Sequence, residues 1–193
     1  MVEVELMALL RAAGTGDARA REHLFAALYD ELRKIASREL RRNAAVTLSP
    51  TTLLHETFLN ISPRESMAFT GRASFMAYAA RAMRGLIIDH LRRRQAQKRG
   101  GEFEITSLPT EIPQGAHADL EVEQLHDALE ALAKVDSRLA QCVDLKFFCG
   151  FSFGDIAQMW SVSERTVQRD WDKARLLLNR FITDPTALAA AAS

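Results

Sequence analysis

The chain has 193 residues and a mass of 21.6 kDa, with 48% hydrophobic and 26% charged residues, which suits one large domain or two of about 80 to 100 residues and excludes a disordered polymer. No apolar run reaches the roughly 18 residues needed to span a bilayer, and the N-terminus lacks a secretory profile. Two cysteines, Cys142 and Cys149, exclude a disulfide framework and a four-cysteine zinc site, so a reduced, cytoplasmic protein is expected. The formal charge is zero, 25 basic against 25 acidic residues, but the charge is unevenly placed. Arg81 to Arg99 holds seven basic residues against the single acid Asp89, whereas Glu102 to Asp127 holds seven acids and no Lys or Arg.

Apolar spacing in Val4, Leu6, Leu9 and Leu10 predicts a short helix from Glu3 to Ala13, broken at Gly14-Thr15-Gly16. Asp17 can cap a second helix carrying Leu24, Phe25, Leu28, Leu32, Ile35 and Leu40 to about Arg42. Residues 43 to 48 read as a connector. Ser49 as N-cap and Pro50 at the first helical position then open a third helix, with Leu53, Leu54, Thr57, Phe58 and Ile61, ending near Ser62-Pro63. A loop precedes a long helix from about Ser74 to Gln97, whose core face is Phe75, Tyr78, Ala79, Met83, Leu86, Ile87 and Leu91. Residues 99 to 117 read as an acidic, flexible linker. A second helical set follows: one helix from near Ala118, another from Ser137 to Phe148, then Ser152 to Trp160 and Ser163 to about Arg180. Pro185 stops the pattern, and residues 184 to 193 read as a frayed tail. The expected fold is all-α: a helical domain over 1–98, the linker over 99–117 and a second helical domain over 118–183.

Residues 152 to 175 fit a helix-turn-helix. Ile156, Ala157 and Trp160 give the first helix an apolar face, Val162 plugs the turn, and Val167, Trp171 and Ala174 face inward from the second helix. Ser163 can cap that second helix and leaves Glu164, Arg165, Thr166, Gln168, Arg169 and, one turn on, Lys173 at its exposed end. Arg and Gln suit guanine and adenine edges, and Thr and Lys suit phosphates. Ser161 stands where many such motifs have Gly; a left-handed backbone there would cost Ser roughly 1 kcal/mol. The plainer alternative is an ordinary αα-hairpin. The basic run Arg81, Arg84, Arg92, Arg93 and Arg94 would coat one end of the long helix, and its single interrupting acid favours phosphate contact over a merely solvated face. Phe69 could stack an unpaired base, whereas Phe75 and Tyr78 read as core.

The order of His55-Glu56-Thr57-Phe58-Leu59, then Ser74-Phe75-Met76 through Ile87-Ile88-Asp89-His90-Leu91-Arg92-Arg93-Arg94, an acidic linker and a terminal helix-turn-helix resembles the extracytoplasmic-function (ECF, group IV) sigma factors of the sigma-70 family, over about residues 5 to 182. That resemblance implies a transcription initiation factor, not an enzyme, needing no cofactor or metal. Its N-terminal domain would bind the β′ clamp helices of core RNA polymerase through Ser49, Thr51, Thr52, His55 and Glu56, and would open the −10 element of promoter DNA. Residues 62 to 72, with Arg64 and Arg72, would form the loop that captures a flipped base, and Arg81, Arg84, Arg92, Arg93 and Arg94 would hold the melted strand. The C-terminal domain would meet the β flap and the −35 element through Ser163, Glu164, Arg165, Thr166, Gln168, Arg169 and Lys173.

The chain departs from the family pattern before His55. An acidic run of the form Asp-Ala-Glu-Asp is usual there, and this chain has uncharged Ser49-Pro50-Thr51-Thr52. The resemblance implies that some groups lacking these acids work with Ser/Thr kinases, so phosphorylation of Thr51, or of Thr52, is expected to restore the missing charge. Control by an anti-sigma factor is the alternative, and for the whole chain the competing reading is a helix-turn-helix response regulator acting on duplex DNA without promoter opening. An anti-sigma or adaptor role would leave the arginine run and the exposed helix end unexplained. His23, His55, His90, His117 and His126 share no ligand spacing with acids, so no metal site is expected. Complementary charge also suggests that the acidic tether, residues 102 to 117, folds over the basic face and masks it.

Overall fold

The computed structural model of the chain describes residues 2–43, 46–60, 69–100 and 114–192, and among them it is helical with no strand. Helix α1 spans Val2–Gly14. Asp17 then caps α2, Ala18–Ala27, accepting from the backbone N–H of Arg19 at 2.9 Å and of Ala20 at 3.2 Å. The sequence pattern reads one helix on to Arg42. The structure instead breaks at Leu28 (φ −107°, ψ 9°) and restarts as α3, Tyr29–Arg42, with Asp30 and Glu31 in its first turn where the helix dipole favours acids. Periodicity conceals the break because Leu24, Leu28, Leu32 and Ile35 are all buried in the core across it.

Ser49 opens α4, Pro50–Asn60, its hydroxyl accepting from the backbone N–H of Thr52 at 3.0 Å. Helix α5, Arg72–Gly100, extends beyond the predicted span at both ends; its 29 residues reach about 43 Å. Phe75 anchors the N-terminal core, with Phe25 and Phe69 edge-to-face at 5.8 and 5.2 Å, and Phe58 meets Phe25 at 4.9 Å. Leu53, Met83, Ile87 and Leu91 complete that layer.

The second set begins with α6, Gln114–Val135, and α7, Ser137–Val143, capped by Asp136. The helix predicted to run to Phe148 changes to a π-helical segment at Asp144–Cys149, closed by Gly150 in the left-handed region (φ 78°). Asp144, Leu145, Phe148 and Cys149 are buried in this segment, continuing the buried face that α7 presents with Leu139, Ala140, Cys142 and Val143. Next come α8, Phe153–Trp160, α9, Glu164–Thr183, and α10, Pro185–Ala192. Helix α10 occupies the segment read from sequence as a frayed tail. Asp184 accepts from Thr186 N–H at 3.0 Å and Ala187 N–H at 3.3 Å, Pro185 sits at the first helical position, and Ala187, Leu188 and Ala191 pack against the core, so cap and burial hold it.

The two helical sets share one continuous core. The π segment is the joint: it lies against both α3 and α5, and the Cys149 thiol reaches the Met76 carbonyl at 3.5 Å. The linker expected over 99–117 falls mostly outside the described residues, as does the loop over 61–68.

Candidate nucleic-acid interface

Helix α8 starts from a capping box: Ser152 Oγ accepts from Asp155 N–H at 3.0 Å, and Asp155 Oδ2 accepts from Ser152 N–H at 2.8 Å. Ile156 and Ala157 are buried beneath it. The turn falls on Ser161, left-handed at φ 55° and ψ 43°, and Val162 N–H returns to the Ala157 carbonyl at 3.0 Å. This is the strained Ser expected from the sequence. Ser163 then caps α9, accepting from Thr166 N–H at 3.2 Å, while the two hydroxyls meet at 2.8 Å. Val167 and Ala174 are buried, Trp171 is half-buried against Phe153, and Arg138 ties α7 to α9 through Asp170 at 2.8 Å. Glu164, Arg165, Gln168, Arg169 and Lys173 are exposed, and Ser163 and Thr166 are engaged in the cap. The segment is therefore a helix-turn-helix whose second helix presents a polar N-terminal end to solvent, the geometry by which such helices enter a major groove.

The basic run on α5 is placed less simply. Arg93 and Arg94 are exposed. Arg81 makes a bidentate pair with Glu130 of α6, Nε to Oε1 at 2.8 Å and Nη2 to Oε2. Arg92 lies 3.5 Å from Glu123 of α6. Arg84 is 5% exposed, pairs with the equally buried Asp144 at 2.9 Å and stacks over Phe148 at 4.3 Å. Its Nε has no hydrogen-bond partner. Arg72 pairs with Glu31 at 2.5 Å, and Arg64 lies outside the described residues.

Around Arg84 the joint is ionic. Glu39 of α3 is 1% exposed and bonds Arg42 at 3.0 Å. Arg42 also covers Phe147 at 3.9 Å and donates to its carbonyl at 2.7 Å, and Arg38 donates to the carbonyls of Phe148 and Cys149. Gly150 suits this position because its backbone is left-handed (φ 78°), and a Cβ there would also displace the Arg38 guanidinium. Burial pushes the Glu39 carboxyl up to about 7 despite Arg42 and Arg84. Asp144 is likewise pushed up by burial, with Arg84 opposing. Burial raises the Glu130 carboxyl most, but the hydrogen bond and charge of Arg81, with His126 and Arg84, together outweigh this and hold it below the usual carboxylate range.

A pH prediction follows from Glu39. Its folded-state affinity for a proton exceeds that of the unfolded chain, so the stability it contributes is full below about 4.5 and is lost as pH rises to about 7. Glu39→Gln should remove roughly 1–3 kcal/mol of that fall. Urea unfolding from pH 4.5 to 7.5 should give a flatter profile for the variant, and parallel profiles would refute the assignment.

The N-terminus of α4 forms a third surface. Ser49, Thr51, Thr52 and His55 are exposed and Glu56 is half-buried. The Thr52 hydroxyl is tied to Ser49 at 2.8 Å, whereas Thr51 borders an apolar groove of about 310 Å³ with Phe25, Tyr29, Leu54 and Phe58. Among the described residues no cluster of His, Cys, Asp and Glu could hold a metal, and no helix is long and apolar enough to cross a membrane. Cys142 and Cys149 are buried free thiols; burial raises Cys142 to about 12, so neither suits thiolate chemistry.

Sequence reasoning missed the partners of the arginines. Glu39 stands in the apolar stripe of Leu32, Ile35 and Ala36, and Asp144 interrupts the run Cys142-Val143-Asp144-Leu145. A lone acid at a core position was the available signal for both.

No curated protein matches the chain. The family model described as ECF sigma factor matches residues 3–184. With its all-helical fold and terminal helix-turn-helix, the chain belongs to the ECF sigma factor family.

Proposed function

We propose that this sigma factor, of the group IV kind, brings core RNA polymerase to its promoters by setting the N-terminal end of α9 in the −35 major groove while α5 holds the melted −10 strand. The observation that carries this is the row Arg165, Gln168, Arg169 and Lys173, exposed at a helix end fixed by the Ser163 cap. Residues 1–98 would act on the clamp helices and the −10 element, 118–183 on the flap and the −35 element, and 99–117 would tether them. The −10 set would be Arg72, Arg81, Arg84, Arg92, Arg93 and Arg94 together with Arg64. Ser49, Thr51, Thr52, His55 and Glu56 would face the clamp. We further propose that a Ser/Thr kinase controls polymerase binding by phosphorylating Thr51, whose hydroxyl is not the one committed to the Ser49 cap.

Run-off transcription with core polymerase on a genomic fragment library tests the reading. Discrete start sites dependent on the protein are expected, with Arg169→Ala lowering output about tenfold at unchanged thermal stability. The binding should also weaken steeply with salt, by a slope of about −0.9 per phosphate contacted in duplex DNA. Tight, sequence-specific binding to duplex DNA alone, with no start site found, would instead establish a regulator that acts without promoter opening.

A further inference from the structure

Helix α9 carries an acid in its buried stripe. Val167, Asp170 and Ala174 stand at i, i+3 and i+7, so they share one face, and Val167 and Ala174 are fully buried. Asp170 has a side chain 14% exposed and directly follows Arg169, in the stretch that would read bases. Its partner comes from outside the helix-turn-helix. Arg138, the second residue of α7, donates from Nε to Asp170 Oδ2 at 2.8 Å and lays its guanidinium over the Trp160 ring at 4.8 Å. Trp160 is the last residue of α8, just before left-handed Ser161. One side chain therefore touches both the end of α8 and the second turn of α9. The base of Arg138 is itself fixed, since its backbone N–H donates to Asp136 at 3.0 Å, and one turn on the Cys142 thiol meets the Val167 carbonyl at 3.8 Å.

The geometry points to Arg138 as a positioning residue for −35 recognition: with Asp170 and Trp160 it forms a strut that fixes the roll of α9 against α8. The inference rests on the promoter reading above and adds what aims its −35 helix.

Apolar burial holds the two helices together without setting that roll, because it is non-directional. The contact also includes the small side chains of Ala157 and Ala174. A roll of about 20° moves side-chain ends on a helix of about 5–6 Å radius by about 2 Å, enough to break a hydrogen bond to a base edge. A guanidinium resists such a roll. Its N–H bonds lie in its plane and its flat face stacks, so it can hold Asp170 and Trp160 together where an ammonium cannot. At the other end of α8, Lys146 covers Phe153 at 4.4 Å and Phe153 meets Trp171 at 6.3 Å, so the helices stay packed when Arg138 is replaced.

The test uses the full chain with core polymerase on two templates: a duplex promoter found by run-off, and the same promoter melted in advance over its −10 element and stripped of its −35 element. Arg138→Gln and Asp170→Asn should each lower output from the duplex about tenfold, and the double variant should do no worse than either. Output from the melted template should stay within about twofold of the parent, and Tm within about 4 °C. Asp170→Asn is the sharpest case, because removing an acid beside DNA would by charge alone strengthen binding. The strut is also visible in the free chain. With Trp171→Phe leaving Trp160 as the sole tryptophan, adding Arg138→Gln should move emission to longer wavelength as water reaches the ring. Stronger or unchanged duplex output for Asp170→Asn, additive losses, equal losses on both templates, or unmoved emission would overturn the inference, and transcription by the parent alongside any of these leaves the promoter reading intact. No start site for the parent on either template removes the promoter reading instead, and the emission shift then still decides whether Arg138 braces the two helices.

Discussion

Asp144→Ala is expected to part the two helical sets rather than unfold either. Removing one member of a buried pair leaves an uncompensated charge and costs about 3–5 kcal/mol while that charge stays buried. Arg84 need not stay buried, because it lies in the joint and water reaches it once the π segment lifts from α5. The penalty is therefore limited by the cost of separation, which breaks the contacts of Arg38 and Arg42 and exposes Phe148 and Cys149. Calorimetry should resolve two transitions in place of one, and the hydrodynamic radius should grow with little change in helix content. The paired replacement Arg84→Met with Asp144→Leu should do the opposite. Apolar groups of similar volume remove both desolvation costs, which is neutral or stabilising by about 1–4 kcal/mol, and at this chain length each 1 kcal/mol raises Tm by about 2–4 °C. A single transition lowered equally in both variants would show that Asp144 serves the C-terminal set alone.

That contrast also explains how far the sequence could be read. Periodicity placed the helices because their apolar faces are buried within each set: Leu24 and Leu32 in one, Ile156 and Val167 in the other. Side-chain caps were legible for the same local reason, and Asp17, Ser49 and Ser163 all stand at helix starts in the structure. The joint was not legible, because its partners lie far apart in the chain, Arg38 with Cys149 and Arg84 with Asp144, and no local spacing records a long-range pair. Arg84 looked like one more member of a basic run, and only tertiary packing distinguishes it from exposed Arg93. The break at Leu28 and the π segment were hidden by apolar patterns that continue through them, since a change in backbone geometry that keeps the buried face buried leaves no mark on periodicity.

Phosphorylation of Thr51 should raise affinity for core polymerase about a hundredfold, the equivalent of two charge-assisted hydrogen bonds. Thr51 is the second residue of α4, where backbone N–H groups and the helix dipole favour an anion, and a phosphate brings a charge of about −1.5 to −2. It would stand beside the apolar groove formed by Phe25, Tyr29, Leu54 and Phe58, with His55 one turn on, so that charge and apolar contact meet a partner together. Thr52 is less suited: its hydroxyl is held by Ser49, and modifying it would disturb a cap worth about 1 kcal/mol. Thr51→Ala should abolish the response to the kinase, Thr51→Glu should recover only part of it because a carboxylate carries one charge, and Thr52→Ala should leave it in place, since the Ser49 oxygen still accepts from the backbone at 52. Pull-down of core polymerase with each protein, before and after kinase treatment, decides the matter; equally tight binding by the unphosphorylated chain and by Thr51→Ala would mean that uncharged Ser49-Pro50-Thr51-Thr52 meets the clamp without help, and that control lies elsewhere in the molecule.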